Sequence, residues 1–273
     1  MATDSGDTPF TEKPADGGIV VTTEFVRHRN ALMARAHLTP LYLDYYLHLA
    51  DQRLTVASEY DGIFKQALAA FILHAASRPR PEMVAWTISL QEPRLNIFAT
   101  TDNETGDVIG RVFTENVKEA PRNLFYVETV RGRQPRRRSV IEFSGADVFA
   151  AASQFYENSE QRPGRFFDLG DENFVLLSAH PDCDLEWLRT VETAGVKHLA
   201  ATETLVRMER RRYRWRCGCD EQRMFQVLAP AMKSDPDRLF DGDEVLRIEC
   251  PRCAAPYIVS REALEAYIAT HKE

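Results

Sequence analysis

Four cysteines near the C-terminal end constrain this chain more than any other feature of its sequence. They form two short pairs, Cys217-Gly218-Cys219 and Cys250-Pro251-Arg252-Cys253, which are separated by residues 220–249. Two closely spaced pairs joined by a loop are typical of a zinc site with four thiolate ligands, because each pair supplies two corners of a tetrahedron. We therefore predict that the four cysteines, in their reduced form, bind one Zn²⁺ per chain.

The segment that contains these cysteines is short for an independently folded unit. It covers residues 217–273, and we call it the zinc module. A hydrophobic core of this size barely suffices for stability. Structural zinc contributes on the order of 10–16 kcal/mol to small metal-dependent units. We therefore expect the metal to supply much of the stability of the zinc module.

Two roles stay open for this site. Zinc bound by four thiolates has no open coordination position, so Lewis-acid catalysis is not expected. The first role is a static structural zinc. The second is a redox switch, because each cysteine pair is close enough to close its own disulfide, 217–219 and 250–253. Gly218 makes the shorter ring feasible, and a disulfide sulfur is no longer a thiolate ligand, so oxidation would release the metal.

The remainder of the sequence predicts an α+β unit followed by a linker. Residues 1–18 are polar and are expected to form a disordered tail. Residues 19–180 are expected to form a core domain with a mainly antiparallel sheet and packed helices, since a helical pattern at 58–76 is followed by several short β-rich segments. Residues 181–216 have amphipathic helical spacing and are predicted to be a helical linker to the zinc module.

Charge and composition argue against several classes of function. The net charge of −7 makes nucleic acid an unexpected main partner. No apolar stretch predicts a membrane span or a signal peptide. Five cysteines, four of them at metal spacing, fit a reducing cytoplasm. The sequence shows no phosphate-binding glycine loop and no nucleophile–base arrangement, so we predict neither ATP use nor enzymatic activity.

Two arginine-rich runs are local exceptions to the acidic charge. Residues 131–138 are predicted to be a solvated loop between two strands. Residues 207–216 include Tyr213 and Trp215 and have two interpretations. The arginines either bind an acidic partner or RNA, or they pair with acidic groups of the same chain. Cys183 lies outside the quartet and is predicted to be a small buried or half-buried side chain.

The cysteine spacing and a second motif resemble one known family. Cys-x-Cys, a spacer and Cys-x-x-Cys at the C-terminal end are similar to the signature of the heat-shock protein 33 family, whose members are redox-regulated, ATP-independent chaperones. Ser159-Glu160-Gln161 resembles the Ser-Glu-Gln segment of that family. The sequence departs from the family pattern at residues 178–183, which lack the usual glycines, and at Ala254, which replaces the usual glycine.

The resemblance implies a holdase that is activated by oxidative stress. Disulfides 217–219 and 250–253 would form, zinc would be released, and the unfolded linker and exposed apolar surface would bind unfolding client proteins. The oxidised form would be a homodimer. The linker side chains expected to contact clients are Leu185, Trp187, Leu188, Val191, Leu199, Leu205 and Met208. The alternative is a static zinc ribbon that binds RNA or a protein partner through the arginines beside Cys217.

Overall fold

The structure, a computed structural model, describes residues 17–271. The tail predicted for residues 1–18 therefore lies outside the described residues, except for Gly17 and Gly18. The strands within residues 17–271 are β1 (Ile19–Val26), β2 (Ala31–His37), β3 (Glu82–Gln91), β4 (Arg94–Asp102), β5 (Asp107–Phe113), β6 (Asn123–Arg131), β7 (Arg137–Phe143), β8 (Gly164–Asp168), β9 (Asn173–Ala179), β10 (Leu205–Trp215), β11 (Val245–Glu249) and β12 (Pro256–Ser260). The helices are α1 (Thr39–Asp51), α2 (Ser58–Ala76), α3 (Val148–Asn158), α4 (Leu185–Thr190), α5 (Thr193–Lys197), α6 (Leu199–Thr202), α7 (Glu221–Ser234), α8 (Pro236–Phe240) and α9 (Arg261–Thr270).

One large sheet dominates the described part of the chain. It has 10 strands in the order β7-β6-β3-β4-β5-β10-β1-β2-β9-β8. Its neighbouring strands pair in antiparallel fashion, whereas β5 and β10 pair in parallel, with Arg214 opposite Asp107 and Trp215 opposite Val108. The strand order places β10 between the β3–β7 half of the sheet and the half formed by β1, β2, β8 and β9. This strand therefore joins the two halves.

Helix α2 forms the centre of the main core. Its residues from Ala67 to Ala76 are all buried, and it packs against strands of both sheet halves and against α3. Such burial fits a helix that is apolar on nearly all sides. Phe71 lies edge-on to Trp86 with ring centroids 5.5 Å apart. Removing an aromatic ring from a core of this kind costs about 3–5 kcal/mol.

The segment 181–216 is helical only in its first half. Helices α4 to α6 cover β2 and β9, where Leu188, Val196 and Leu199 are buried. The prediction of a helix over the rest is wrong, because Leu205–Trp215 forms β10. Its side chains alternate between the two faces of the sheet, as strand geometry requires. Tyr213 is buried on one face, and the neighbouring arginines are exposed on the other.

The zinc module is a small unit with its own apolar core. Asp220 and Ser260 cap α7 and α9 by accepting hydrogen bonds from the backbone N–H groups of Arg223 and Ala263. Helix α7 continues through Pro230 to Ser234. The buried core residues of the module are Phe225, Met232, Phe240, Val259 and Leu264.

The predicted fold class, α+β with a mainly antiparallel sheet, is confirmed. The arginine run 131–138 joins β6 to β7, as predicted, although its last residues belong to β7. The domain boundaries at residues 180 and 216 stay a prediction, and β10 lies within the sheet of the predicted core domain.

Among the described helices, none combines the length and the apolar character that a membrane crossing needs.

Candidate metal centre

The four cysteines of the zinc module lie together in space. Their sulfur atoms are all within 4.8 Å of one another. The Sγ atoms of Cys217 and Cys250 are 3.7 Å apart, and those of Cys219 and Cys253 are 3.5 Å apart. Four sulfurs at Zn–S distances of about 2.3 Å form a tetrahedron with edges of about 3.8 Å. The four cysteines could therefore hold a tetrahedral metal ion.

The first cysteine pair is placed by the end of β10 and the start of α7. Gly218 adopts a φ of +63°, a left-handed conformation that costs glycine little. Asp220 Oδ1 then accepts the N–H of Arg223 at 2.8 Å. This cap fixes the start of α7, so that the sulfurs of Cys217 and Cys219 turn towards the second pair.

The second cysteine pair lies in the turn between β11 and β12. The Cys250 N–H donates to the Ala255 carbonyl at 2.8 Å, and the Ala254 N–H donates to the Cys250 carbonyl at 2.9 Å. These bonds close the turn and leave Cys250 and Cys253 only 1% and 2% exposed. Ala254 has a φ of +65°, which is unfavourable for a residue that carries a Cβ atom.

The clustered sulfurs change one another's proton affinity. Hydrogen bonding to Cys250 raises the pKa of Cys217 to about 12. Hydrogen bonds with Cys217 and Cys253 lower the pKa of Cys250, whereas hydrogen bonds with Cys217 and Cys250 raise the pKa of Cys253. Thiolates this close repel one another, so a cation is needed to keep all four deprotonated. A divalent metal that prefers sulfur ligands suits this donor set.

Residues of β5 and α1 contact the second cysteine turn from outside the zinc module. Ile109 of β5 is fully buried against Cys250 and Cys253. Arg111, also in β5, donates from Nη1 to the Cys250 carbonyl at 3.1 Å. His48 of α1 approaches from another side, with Nε2 at 2.9 Å from the Cys253 carbonyl. The sequence does not distinguish these three residues, because each has an ordinary place in its helix or strand pattern.

The Ser159-Glu160-Gln161 motif lies at the end of α3. Ser159 is the C-terminal cap of that helix, and Gln161 has a φ of +55°. The Glu160 carboxylate pairs with Arg78 Nη1 at 2.7 Å, and Arg78 also pairs with Glu82 at 3.0 Å. The motif therefore ties the end of α3 to the segment that follows α2.

The seven linker residues predicted to contact clients have three kinds of environment. Leu188 and Leu199 are buried, whereas Trp187, Val191 and Leu205 are half-buried in the same apolar cluster. Leu185 and Met208 are exposed at 37% and 62%. Contact of the buried members with another protein requires the linker helices to leave the sheet.

Cys183 and the arginine run of β10 also have defined places. Cys183 is half-buried, as predicted, and burial raises the pKa of its thiol. Arg211 pairs with Glu209 at 2.7 Å, and Arg214 pairs with Asp107 at 2.5 Å. The interpretation of this run as internal ion pairs is thus confirmed for these two arginines.

A solved structure, but no sequence family, resembles this chain. No protein-family model and no curated protein matches the sequence. Among solved structures, the chain is similar to the crystal structure of a 33 kDa chaperonin, a heat-shock protein 33 homologue from Thermotoga maritima. The TM-score is 0.69 at 14% sequence identity, and the match covers 93% of this chain and 98% of that chain. The resemblance inferred from the cysteine spacing is therefore confirmed at the level of architecture, and this chain has the heat-shock protein 33 fold.

Proposed function

We propose that this protein is a redox-regulated, ATP-independent holdase rather than an enzyme. The observation that carries the proposal is the cluster of four thiols within 4.8 Å of one another, in a fold shared with a chaperonin. The reduced protein holds Zn²⁺ with Cys217, Cys219, Cys250 and Cys253. After oxidation in the cytoplasm, it binds unfolding client proteins as a homodimer.

Oxidation converts the two cysteine pairs into two disulfides. In each pair, two thiolates give two electrons to one hydrogen peroxide and form an S–S bond. The O–O bond breaks, and two protons from solvent complete two water molecules. The sulfurs then release the metal, and the zinc module loses its main stabilising interaction. The linker loosens with it, so that Leu188 and Leu199 become available to clients.

The pairing of the disulfides decides whether oxidation releases the module. Two close sulfur contacts join opposite turns, at 3.7 Å for 217–250 and 3.5 Å for 219–253. Disulfides that join the two turns would stabilise the folded module by a covalent link between its halves. Disulfides within each turn, 217–219 and 250–253, would leave the two turns unlinked, so that the module can unfold. We expect the second pairing, because the proposed release depends on it.

Tryptic mapping of the oxidised protein separates the two pairings. Trypsin cleaves after Arg216 and Arg223, so a 217–219 disulfide stays inside one peptide that is lighter by two hydrogens. Disulfides across the turns would instead link this peptide to those that carry Cys250 and Cys253. Trypsin also cleaves after Arg252, so a 250–253 disulfide joins peptides 248–252 and 253–261 to each other. Peptide 217–223 linked to either of these peptides as the main product would contradict the release mechanism.

Client binding is the direct test of the proposed function. Peroxide should release one Zn²⁺ per chain and yield a protein that suppresses light scattering by a heat-unfolded client. Cys183→Ser should behave like the wild type, because Cys183 lies outside the quartet. Equal suppression by the reduced wild-type protein would rule out a redox switch.

A static zinc module that binds RNA or a protein partner is the second candidate. The exposed Arg216 beside Cys217 supports it, whereas the internal pairing of Arg211 and Arg214 limits the free positive charge. RNA binding that weakens with salt and is unchanged by oxidation would favour this candidate over the holdase.

A further inference from the structure

Strand β5 has an edge without a neighbouring strand beside the zinc module. Strand β10 pairs with β5 only at Asp107 and Val108, and the last backbone bond between them runs from the Arg216 N–H to the Val108 carbonyl at 3.0 Å. On its other side, β5 pairs with β4 up to Phe113. In the described part of the chain, β5 beyond Val108 therefore has a strand partner on one side only.

Two residues of this edge, the buried Gly110 and the half-buried Val112, have backbone groups that point away from β4. Backbone hydrogen-bonding groups alternate in direction along a strand. Because the Val108 carbonyl faces β10, the N–H and C=O groups of Gly110 and Val112 face the same side. Within residues 17–271, no backbone partner bonds them there. An extended polypeptide could bond to both residues.

A groove of about 1,090 Å³ runs along this edge. Helix α1 and the loop after it form the opposite wall, and the second cysteine turn lies at one end. The groove has both polar and apolar lining, and its apolar residues include Leu49, Leu54, Val112, Phe113, Trp215 and Cys253. A groove between a strand edge and a helix is a known geometry for strand addition.

We propose that an extended apolar segment of an unfolding protein binds in this groove by adding a strand to β5. This inference rests on the proposed holdase function and names where the client backbone binds. Edge bonding to Gly110 and Val112 recognises an extended backbone of any sequence, and the apolar walls accept alternate side chains. Folded proteins seldom offer such a segment, because their backbone groups are already paired.

The zinc module closes one end of the groove. His48 and Arg111 hold the carbonyls of Cys253 and Cys250, at 2.9 Å and 3.1 Å, and the module covers Ile109 completely. Departure of the module after oxidation uncovers the Ile109 side chain and opens this end of the groove. The redox state of the cysteines thus sets how much apolar surface beside β5 a client can contact.

Proline at position 112 tests the role of the strand edge. Val112→Pro removes the outward N–H and blocks the edge, yet it leaves the bonds to β4, which lie on the other side of the strand. Val112→Ala keeps the N–H while it also loses side-chain packing, so it is the matched control. We expect oxidised Val112→Pro to bind an unfolded client about tenfold more weakly than Val112→Ala.

Zinc content and melting temperature of the reduced variants show whether they fold. Independently of the variants, the client should slow amide hydrogen exchange at Gly110 and Val112 in the oxidised wild type. Equal client affinity of the two variants, or unchanged exchange at both amides, would contradict client binding at β5 but would leave the proposed holdase function intact. If the oxidised wild-type protein binds no client, both the proposed holdase function and client binding at β5 are wrong.

Discussion

Ala254 occupies a backbone conformation that glycine adopts more easily. Its φ is +65° in the turn that carries Cys250 and Cys253, and a side chain in the left-handed region costs about 1–2 kcal/mol. Ala254→Gly removes this cost but adds freedom to the unfolded chain. We expect a net gain of about 0.5–1 kcal/mol in the stability of the reduced zinc module, measured as slower zinc release to a chelator.

The neighbouring alanine provides the control for this substitution. Ala255 is 6% exposed and Ala254 is 8% exposed, so the two sites differ mainly in backbone conformation. Ala255→Gly should destabilise the module by about 0.5–1 kcal/mol. The same effect from both substitutions would show that the left-handed turn stores no strain.

His74 makes the stability of the main core depend on pH. It is fully buried, its Nδ1 lies 3.0 Å from the Tyr156 hydroxyl, and its Nε2 has no partner among the described residues. Burial, assisted by Arg78 and Arg162, lowers the pKa of His74 well below 6.5. Below pH 6.5 the unfolded chain therefore binds a proton that the folded protein does not bind.

The free energy of unfolding should fall as the pH drops below 6.5, and His74 should contribute about 1.4 kcal/mol per pH unit. His74→Gln should remove this contribution, which urea unfolding between pH 7 and pH 5.5 would detect as a shallower decline. His198→Gln, at an exposed position, controls for the loss of one histidine. Parallel declines in the wild type and His74→Gln would disprove the assignment.

At the scale of the element, β10 depends on a buried polar contact. The Tyr213 hydroxyl donates to Asn103 Oδ1 at 2.9 Å, and Asn103 Nδ2 donates to the Ala75 carbonyl at 2.8 Å. Tyr213→Phe leaves a buried oxygen without its donor, which should cost about 1–3 kcal/mol in urea unfolding. Tyr126→Phe, at a half-exposed site on β6, should change stability by much less.

Sequence patterns predicted some elements well and failed for others for physical reasons. The cysteine spacing and the apolar stripe of α2 are local signals, and the structure agrees with both. Strand β10 was predicted as a helix because Leu205 and Met208 are three residues apart, although Tyr213 and Trp215 alternate with arginines. A strand that pairs with β1 and β5 from distant parts of the chain is fixed by tertiary contacts, which override local periodicity.

The docking of the zinc module could not be predicted for a similar reason. Arg111 and His48 bind main-chain carbonyls of Cys250 and Cys253. A carbonyl is present at every residue, so it leaves no mark in the sequence that would single out its partner. Only the arrangement of β5, α1 and the cysteine turn brings these groups together.

At the scale of the whole molecule, the metal should stabilise one part of the chain and not the rest. The zinc module follows β10 directly, but β10 itself pairs with β1 through residues 205–213. Gly18 and Gly106 also lie against its backbone, where an added Cβ atom would be 2.2 Å and 2.1 Å from the carbonyl oxygens of Tyr213 and Arg212. These contacts do not involve the metal.

We therefore expect β10 to stay paired with β1 after metal removal. A strong chelator applied to the reduced protein should cause rapid amide hydrogen exchange in α7, β11 and α9, because the module loses its largest stabilising term. The amides of β10 that bond to β1 should stay protected, since their exchange requires the two sheet halves to separate. Loss of protection along β10 together with the module would show that metal binding supports the central strand of the sheet.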